Sequence, residues 1–416
     1  MGASFTMGLA IVVLASAPAA RTLTMDDFRD RLRGGWAGQM IGVSYGSVYE
    51  FQSNGRPITG PLREWQPDHV ENSLAQDDLY VEMTFLETLE THGPGATSAQ
   101  AAADFRDSRY ELWHGNEAAR RNLRRGIMPP ASGHPLHNTH AEDIDFQIEA
   151  DLFGLVSPGM FRAAAEMSDT FGRMIGAGDG LHGGLFVSAM IAQAYLEPHP
   201  TPAAVQRCVQ AGLSAIPRSS DYAGLIRDVI AEHQEHPHDW RSTWQSIQSR
   251  WGETDECPEG RGRPFNIDAK LNGGYVVLGL LHGDADLERT LEITTRAGQD
   301  ADCNASTAAG VLGALHGYSR IPTKFTSGIP ALAGRPFSYT DHDMDTLLQA
   351  SEQVALKVLV REGGRRVQRD GVDVLELPRQ RPVPPSRLAQ ALDFNVEGPR
   401  PWSGAWDDLV SLFRAR

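Results

Sequence analysis

The chain has 416 residues, 41% of them hydrophobic, and a formal net charge of −15 at pH 7. That length and apolar content suffice for a sizeable core and exclude a disordered chain. The negative balance argues against nucleic acid as a partner, which requires a basic face, and leaves room only for a local phosphate pocket.

Residues 1–20 predict an export signal. An apolar run from Met7 to Ala15 precedes Ala17-Pro18-Ala19, a small-x-small cleavage pattern, and the run is too short to span a bilayer. Cleavage is expected to release mature protein, starting near Pro18 to Thr22, to the periplasm or outside, with no stable membrane association. No basic residue precedes Arg21, so a cytoplasmic protein is the expectation if these residues are not a signal. The three cysteines, Cys208, Cys257 and Cys303, make no disulfide framework and contain no Cys-x-x-Cys zinc pair. Cys208 and Cys257 could pair in an oxidising compartment.

The pattern turns helical at Thr24, a cap followed by Asp26 and Asp27 in the first turn. Gly34, Gly38, Gly42 and Gly46 then recur on one helical face, which predicts close approach of another helix. Residues 47–75 are loop-rich. Gln76-Asp77-Asp78 opens a buried-looking helix over 79–91. Residues 98–126 predict an exposed helix pair, with Arg120, Arg121, Arg124 and Arg125 as a solvated face, and 127–142 a loop. The acidic stretch from Asp143 to Asp151, with Asp145 and Glu149, reads either as a helix with an exposed acidic face or as a substrate-facing loop. Gly178-Asp179-Gly180-Leu181-His182-Gly183 matches G-x-G-x-x-G, but no strand or βαβ unit surrounds it, which excludes dinucleotide binding of that kind. Its position before a helix suits a phosphate held by backbone N–H groups.

Residues 181–196, 271–282 and 304–317 read as buried helices, the last following Asp300-Ala301-Asp302-Cys303-Asn304. Towards the end, Val358–Val360, Arg366–Gln368 and Val372–Leu377 read as strands, Pro378 to Pro385 as a linker and Trp402 to Leu412 as a docking helix. The chain is therefore expected to be all-α over 21–335, with a C-terminal extension over 336–416 containing a β-hairpin and a terminal helix.

Two acidic clusters, each at a buried helix start, could set four carboxylates around one point. Such carboxylates repel unless they share protons or hold cations, and oxygen ligands suit Mg²⁺, Mn²⁺ or Ca²⁺. The order of the Gly-rich first helix, Ser47-Val48-Tyr49-Glu50-Phe51, Asp77-Asp78, Gly178–Gly184 and Gly298-Gln299-Asp300-Ala301-Asp302-Cys303-Asn304 resembles the ADP-ribosylglycohydrolase superfamily over about residues 26–320. The resemblance implies an all-α bundle, a Mg²⁺ or Mn²⁺ centre and hydrolysis at the anomeric carbon of ADP-ribose. Two ions are expected, with one as the alternative.

Carried over by motif, Asp77, Asp78, Asp300 and Asp302 match metal-ligand positions, and Asp302 is also expected to serve catalysis. Gln76 and Cys303 stand where the family usually has Thr, and a thiol is a poor ligand for a hard cation. Val43 stands where many relatives carry Asp. Glu50 matches an acidic residue that in some members activates water or contacts the ribose. His182 matches a position near ADP-ribose, with Gly183 and Gly184 on the phosphate side, and Asp145 and Glu149 are candidate substrate contacts. The expected substrate is a small molecule or an ADP-ribosylated compound. A binding protein that has lost catalysis, and a hydrolase of an unrelated small glycoside, are the alternatives.

Overall fold

A computed structural model describes residues 21–255, 258 and 267–385. The expected signal, Cys257 and the expected helix from Trp402 to Leu412 lie outside the described residues. Sixteen α-helices lie among them. The first eight are α1 (Met25–Gly46), α2 (Asp77–His92), α3 (Ser98–Asp107), α4 (His114–Arg124), α5 (Asp145–Ile148), α6 (Asp151–Leu155), α7 (Phe161–Ile175) and α8 (Gly178–Ala194). Then come α9 (Pro202–Ser214), α10 (Asp221–Glu235), α11 (Trp240–Trp251), α12 (Ala269–His282), α13 (Leu287–Ala297), α14 (Ala301–His316), α15 (Thr323–Thr326) and α16 (Met344–Arg361). No helix among the described residues is long and apolar enough to cross a membrane.

Helix α1 starts where its cap predicts: Thr24 Oγ1 accepts from the Asp27 N–H at 3.1 Å. Its glycine face meets α14, itself built of small residues. A Cβ added to Gly34, Gly38 or Gly42 would lie 2.2, 2.1 and 2.2 Å from the carbonyl oxygens of Gly313, Ala309 and Ala305. At Gly46 it would lie 2.4 Å from Ala301 O. Four successive turns of α1 therefore touch four turns of α14 in antiparallel register. This sets the end of α1 beside the start of α14. Helices α8, α12 and α14 are buried almost all round, as helices apolar on every face must be.

A three-stranded antiparallel sheet joins the two ends of the described chain: β1 (Arg21–Thr24), β2 (Arg365–Arg369) and β3 (Val372–Leu377), in the order β1-β3-β2. Arg21 pairs with Leu377, and Arg365 with Glu376. The expected extension packs on the body: the Trp36 indole N–H donates to Ser351 Oγ of α16 at 3.1 Å, in the core. The strands expected at 366–368 and 372–377 form, but Val358–Val360 is the last turn of α16. Val358 and Leu359 are buried there while Val360 is 70% exposed, a helical rather than alternating pattern. Helices α3 and α4 pair as expected, yet their arginines are not a solvated face alone. Arg120 donates to Tyr110 O, and Arg124 to Arg106 O and Ser108 O, stapling the connection between the helices. Cys208 is buried and forms no disulfide among the described residues, to which Cys257 does not belong.

A branched side chain at Gly42 must push two backbones apart. Gly42→Val is expected to lower unfolding free energy by about 3 kcal/mol, the upper range for overpacking. Urea unfolding would measure it, and a change under about 0.5 kcal/mol, the usual size of a neutral surface substitution, would contradict the close crossing.

Candidate active site

The two acidic clusters meet where α1, α2 and α14 converge. Asp77 and Asp78 open α2, Asp300 is the N-cap of α14, and Asp302 lies in its first turn. The segment before Asp300 is sharply bent, with Gly298 and Gln299 at φ +85° and +57°. The bend is tied to the loop after α1, since the Phe51 N–H donates to Gln299 O at 2.9 Å and the Gln299 N–H to Ser53 O at 3.0 Å. Glu50 stands just before that tie. From α12, buried Asn272 accepts from Asn304 Nδ2 at 2.8 Å and from the Asp300 N–H at 3.4 Å.

The electrostatics show how tightly the acids are grouped. Burial pushes the Asp77 carboxyl up to about 7, with repulsion from Asp302 and Asp145 added. Burial raises Asp78 further, then Asp77 does; Asp300 is raised by burial and then by Asp302. Glu50 is exposed at the rim, yet the surrounding protein strips enough water to push it up to about 7, helped by Asp302 and Asp77. Asp302 Oδ1 and Asp78 Oδ2 are buried and have no hydrogen-bond partner among the described residues. One ligand atom each of Asp300, Asp302 and Cys303 lies within 4.8 Å of the others. Orphaned buried carboxylate oxygens of this kind fit a divalent cation.

The neighbours differ in part from the sequence reading. Gln76 donates its side-chain amide to Asn72 at 2.9 Å, and Cys303 packs among Ile144, Ile148, Ile267 and Phe51. Val43 is fully buried in the core. The stretch from Asp143 to Asp151 is neither an exposed acidic face nor an open loop, for all four of its acids are buried. Asp145 accepts from the Gly115 and Asn116 N–H groups at the start of α4, at 3.1 and 3.0 Å. Glu149 accepts from Asn116 Nδ2, and its carboxyl is raised by burial, then by Asp145, Asp77 and Asp78. Both therefore back the acidic group from inside.

Two members were not foreseen. Asp151 is pushed up to about 8 by burial, and Glu82 Oε1 accepts from the Leu152 N–H at 2.7 Å, its carboxyl raised by burial and then by Asp151. Glu82 was detectable, because it lies four residues after Asp78 on the same helical face.

His182 is buried, its Nδ1 3.4 Å from Asp179 Oδ1, and no hydrogen bond or ion pair joins it to the four aspartates among the described residues. Lys270 lies on the other side of Asp179, at 4.0 Å, and holds Asp268 at 2.5 Å. The phosphate side expected at Gly183 and Gly184 is closed. A Cβ on Gly183 would lie 2.5 Å from Gln147 Oε1, and one on Gly184 2.3 Å from the Phe146 ring. The first turn of α8 is occupied too: Asp179 N–H donates to Glu142 Oε1 at 3.1 Å, and Gly180 and Leu181 N–H to Ala177 O. The chain's own carboxylate sits where an anion was expected.

A family model described as ADP-ribosylglycohydrolase matches residues 24–360. Among solved structures the chain is similar to an "ADP-ribosylglycohydrolase-related protein complex", at 16% identity and a TM-score of 0.47, over 80% of this chain and 100% of that one. No curated protein matches the chain.

Glu50, Asp77 and Asp151, with carboxyls at about 7, 7 and 8, keep protons in the folded chain that the unfolded chain has already released. Raised acids make stability fall as pH climbs from the unfolded range near 4 through the folded values. The melting temperature in chelator is expected to fall between about pH 5 and pH 8, and Mg²⁺ to remove much of the slope. A flat profile in chelator would show that these acids are not held protonated.

Proposed function

Since the chain belongs to the ADP-ribosylglycohydrolase family, whose members are glycosyl hydrolases in type, we propose that it cleaves a glycosidic bond at the anomeric carbon of an ADP-ribosyl or related ribosyl compound by metal-assisted attack of water. The orphaned oxygens of Asp302 and Asp78 carry this reading. Asp77, Asp78, Asp300 and Asp302 would hold Mg²⁺ or Mn²⁺, with Cys303 beside the Asp300–Asp302 pair. When bound, such an ion lowers the pKa of water and neutralises charge on a sugar hydroxyl or phosphate.

The chain's own groups supply the rest. Glu50, at the solvent edge and beside Asp302, would take the proton of the attacking water through a carboxylate oxygen. Burial raises its carboxyl most, and offsetting the charges of Asp77 and Asp302 removes the repulsion that adds to it, which favours the ionised form a base needs. Asp145 and Glu149 hold the back of the site through Asn116 and the start of α4. Export belongs to the same proposal and would favour a substrate outside the cytoplasm. A binding protein without turnover is the second reading. It is favoured by Gln76, whose amide is engaged with Asn72, and by the Cys303 thiol.

Asp302→Asn is expected to weaken Mg²⁺ binding and nearly abolish hydrolysis of an ADP-ribosyl substrate. Glu50→Gln is expected to lower kcat by about 10²–10⁴ with KM little changed, the mark of a group that works only in the transition state. Full turnover by either variant would remove the proposed role of its residue. Cys303→Thr offers a harder ligand and is expected to keep or strengthen Mg²⁺ affinity; calorimetry showing a clear loss would give the thiol a role of its own.

A further inference from the structure

A second group of ligating side chains lies outside the carboxylate ring, where α4 begins. His114 is the first residue of α4, and His140 lies in the loop before α5. Both point Nδ1 at one oxygen: His140 Nδ1 is 2.7 Å from Asp143 Oδ2, and His114 Nδ1 3.8 Å from it. One ligand atom from each residue lies within 4.8 Å of the other two. The imidazoles stand edge to face, 5.5 Å between centroids. The Asp143 side chain is buried, while the imidazoles are 22% and 16% exposed, so the group opens to solvent on the histidine side.

The surrounding structure holds this arrangement in advance. Asn138 is fully buried. Its amide donates to Gly115 O at 3.0 Å and Ile175 O at 2.8 Å, while its Oδ1 accepts from the His140 N–H at 2.9 Å. One side chain thus links His140 to the residue following His114. The Asp143 N–H donates to His140 O at 3.1 Å, and the Ile144 N–H to Ile267 O at 2.9 Å. His114 has φ +41°, a left-handed conformation uncommon outside glycine, and the next two N–H groups are fixed on Asp145. These bonds fix the backbone from which the three side chains project.

A His–Asp hydrogen bond alone needs two residues; the second imidazole, aimed at the same oxygen, adds the third donor. Two imidazole nitrogens and one carboxylate oxygen suit Zn²⁺ and similar transition ions, whereas Mg²⁺ and Ca²⁺ take oxygen ligands. We propose that His114, His140 and Asp143 form a binding site for a divalent transition ion of the Zn²⁺ class, separate from the carboxylate ring and independent of its proposed chemistry. Each imidazole then carries its proton on Nε2 and presents the Nδ1 lone pair, replacing the His140–Asp143 hydrogen bond. Three protein ligands leave a coordination position for water or an anionic oxygen.

The test uses chelator-stripped full-length protein with Zn²⁺ in excess Mg²⁺, which occupies the hard-ligand ring. Elemental analysis after desalting and calorimetry are expected to find one tightly held zinc, in the parent and in Asp302→Asn alike. His114→Gln with His140→Gln is expected to weaken zinc binding by at least about 100-fold, the upper end of what losing even an outer-shell partner costs. Equal zinc affinity in the double variant overturns the proposal. So does zinc that is lost in Asp302→Asn and kept in the double variant, which would put it on the carboxylate ring. Should the double variant fail to fold, Co²⁺ added to Asp302→Asn decides: the intense visible bands of a four- or five-coordinate site with nitrogen ligands are expected, and their absence overturns the assignment.

Discussion

Where α1 and α14 cross, their backbones touch, because four glycines on one helix meet carbonyls on the other. Packing that close leaves no room for side chains and little freedom to slide. It fixes the end of α1, with the loop carrying Glu50, against the first turn of α14, with Asp300 and Asp302. The hydrogen bonds from Phe51 to Gln299 and from Gln299 to Ser53 then lock that junction. Helix α2 delivers Asp77 and Asp78 to the same place, and the site inherits its geometry from the crossing.

Gathering so many acids in one place is costly. Removing an ionised carboxylate from water costs several kcal/mol even after relaxation. Here Asp78, Glu82, Glu149, Asp151, Asp300 and Asp302 are all buried. The buried Lys270 is committed to Asp268 and Asp179, on the side of His182. The acids are relieved by protons, which is why their carboxyls are raised, or by a cation. A fold that keeps this arrangement has exchanged stability at neutral pH for a place that holds positive charge.

The same logic separates the helix-start regions. The first turn of α8, which read as a phosphate cradle, is filled by Glu142 and closed by α5 through Phe146 and Gln147. The start of α4 is taken by Asp145. At both places an internal carboxylate satisfies the N–H groups that a ligand would otherwise use.

Whatever is local was legible in the amino-acid sequence. It was enough for the helical character of the body, the Thr24 cap, the hairpin strands at 366–368 and 372–377, and the acid pairs at two helix starts, because caps, period and composition act over a few residues. The spacing of Gly34, Gly38, Gly42 and Gly46 announced a close partner but not that α14 was it. Packing between chain-distant elements decided that the Asp143–Asp151 acids face inward, that Asp151 joins the aspartates, and that His182 turns to Asp179. It also decided that the strand before α1 completes the sheet of the tail. These depend on which elements lie across from one another, and burial and electrostatic repulsion are properties of that juxtaposition, to which chain-distant residues contribute as much as neighbours do.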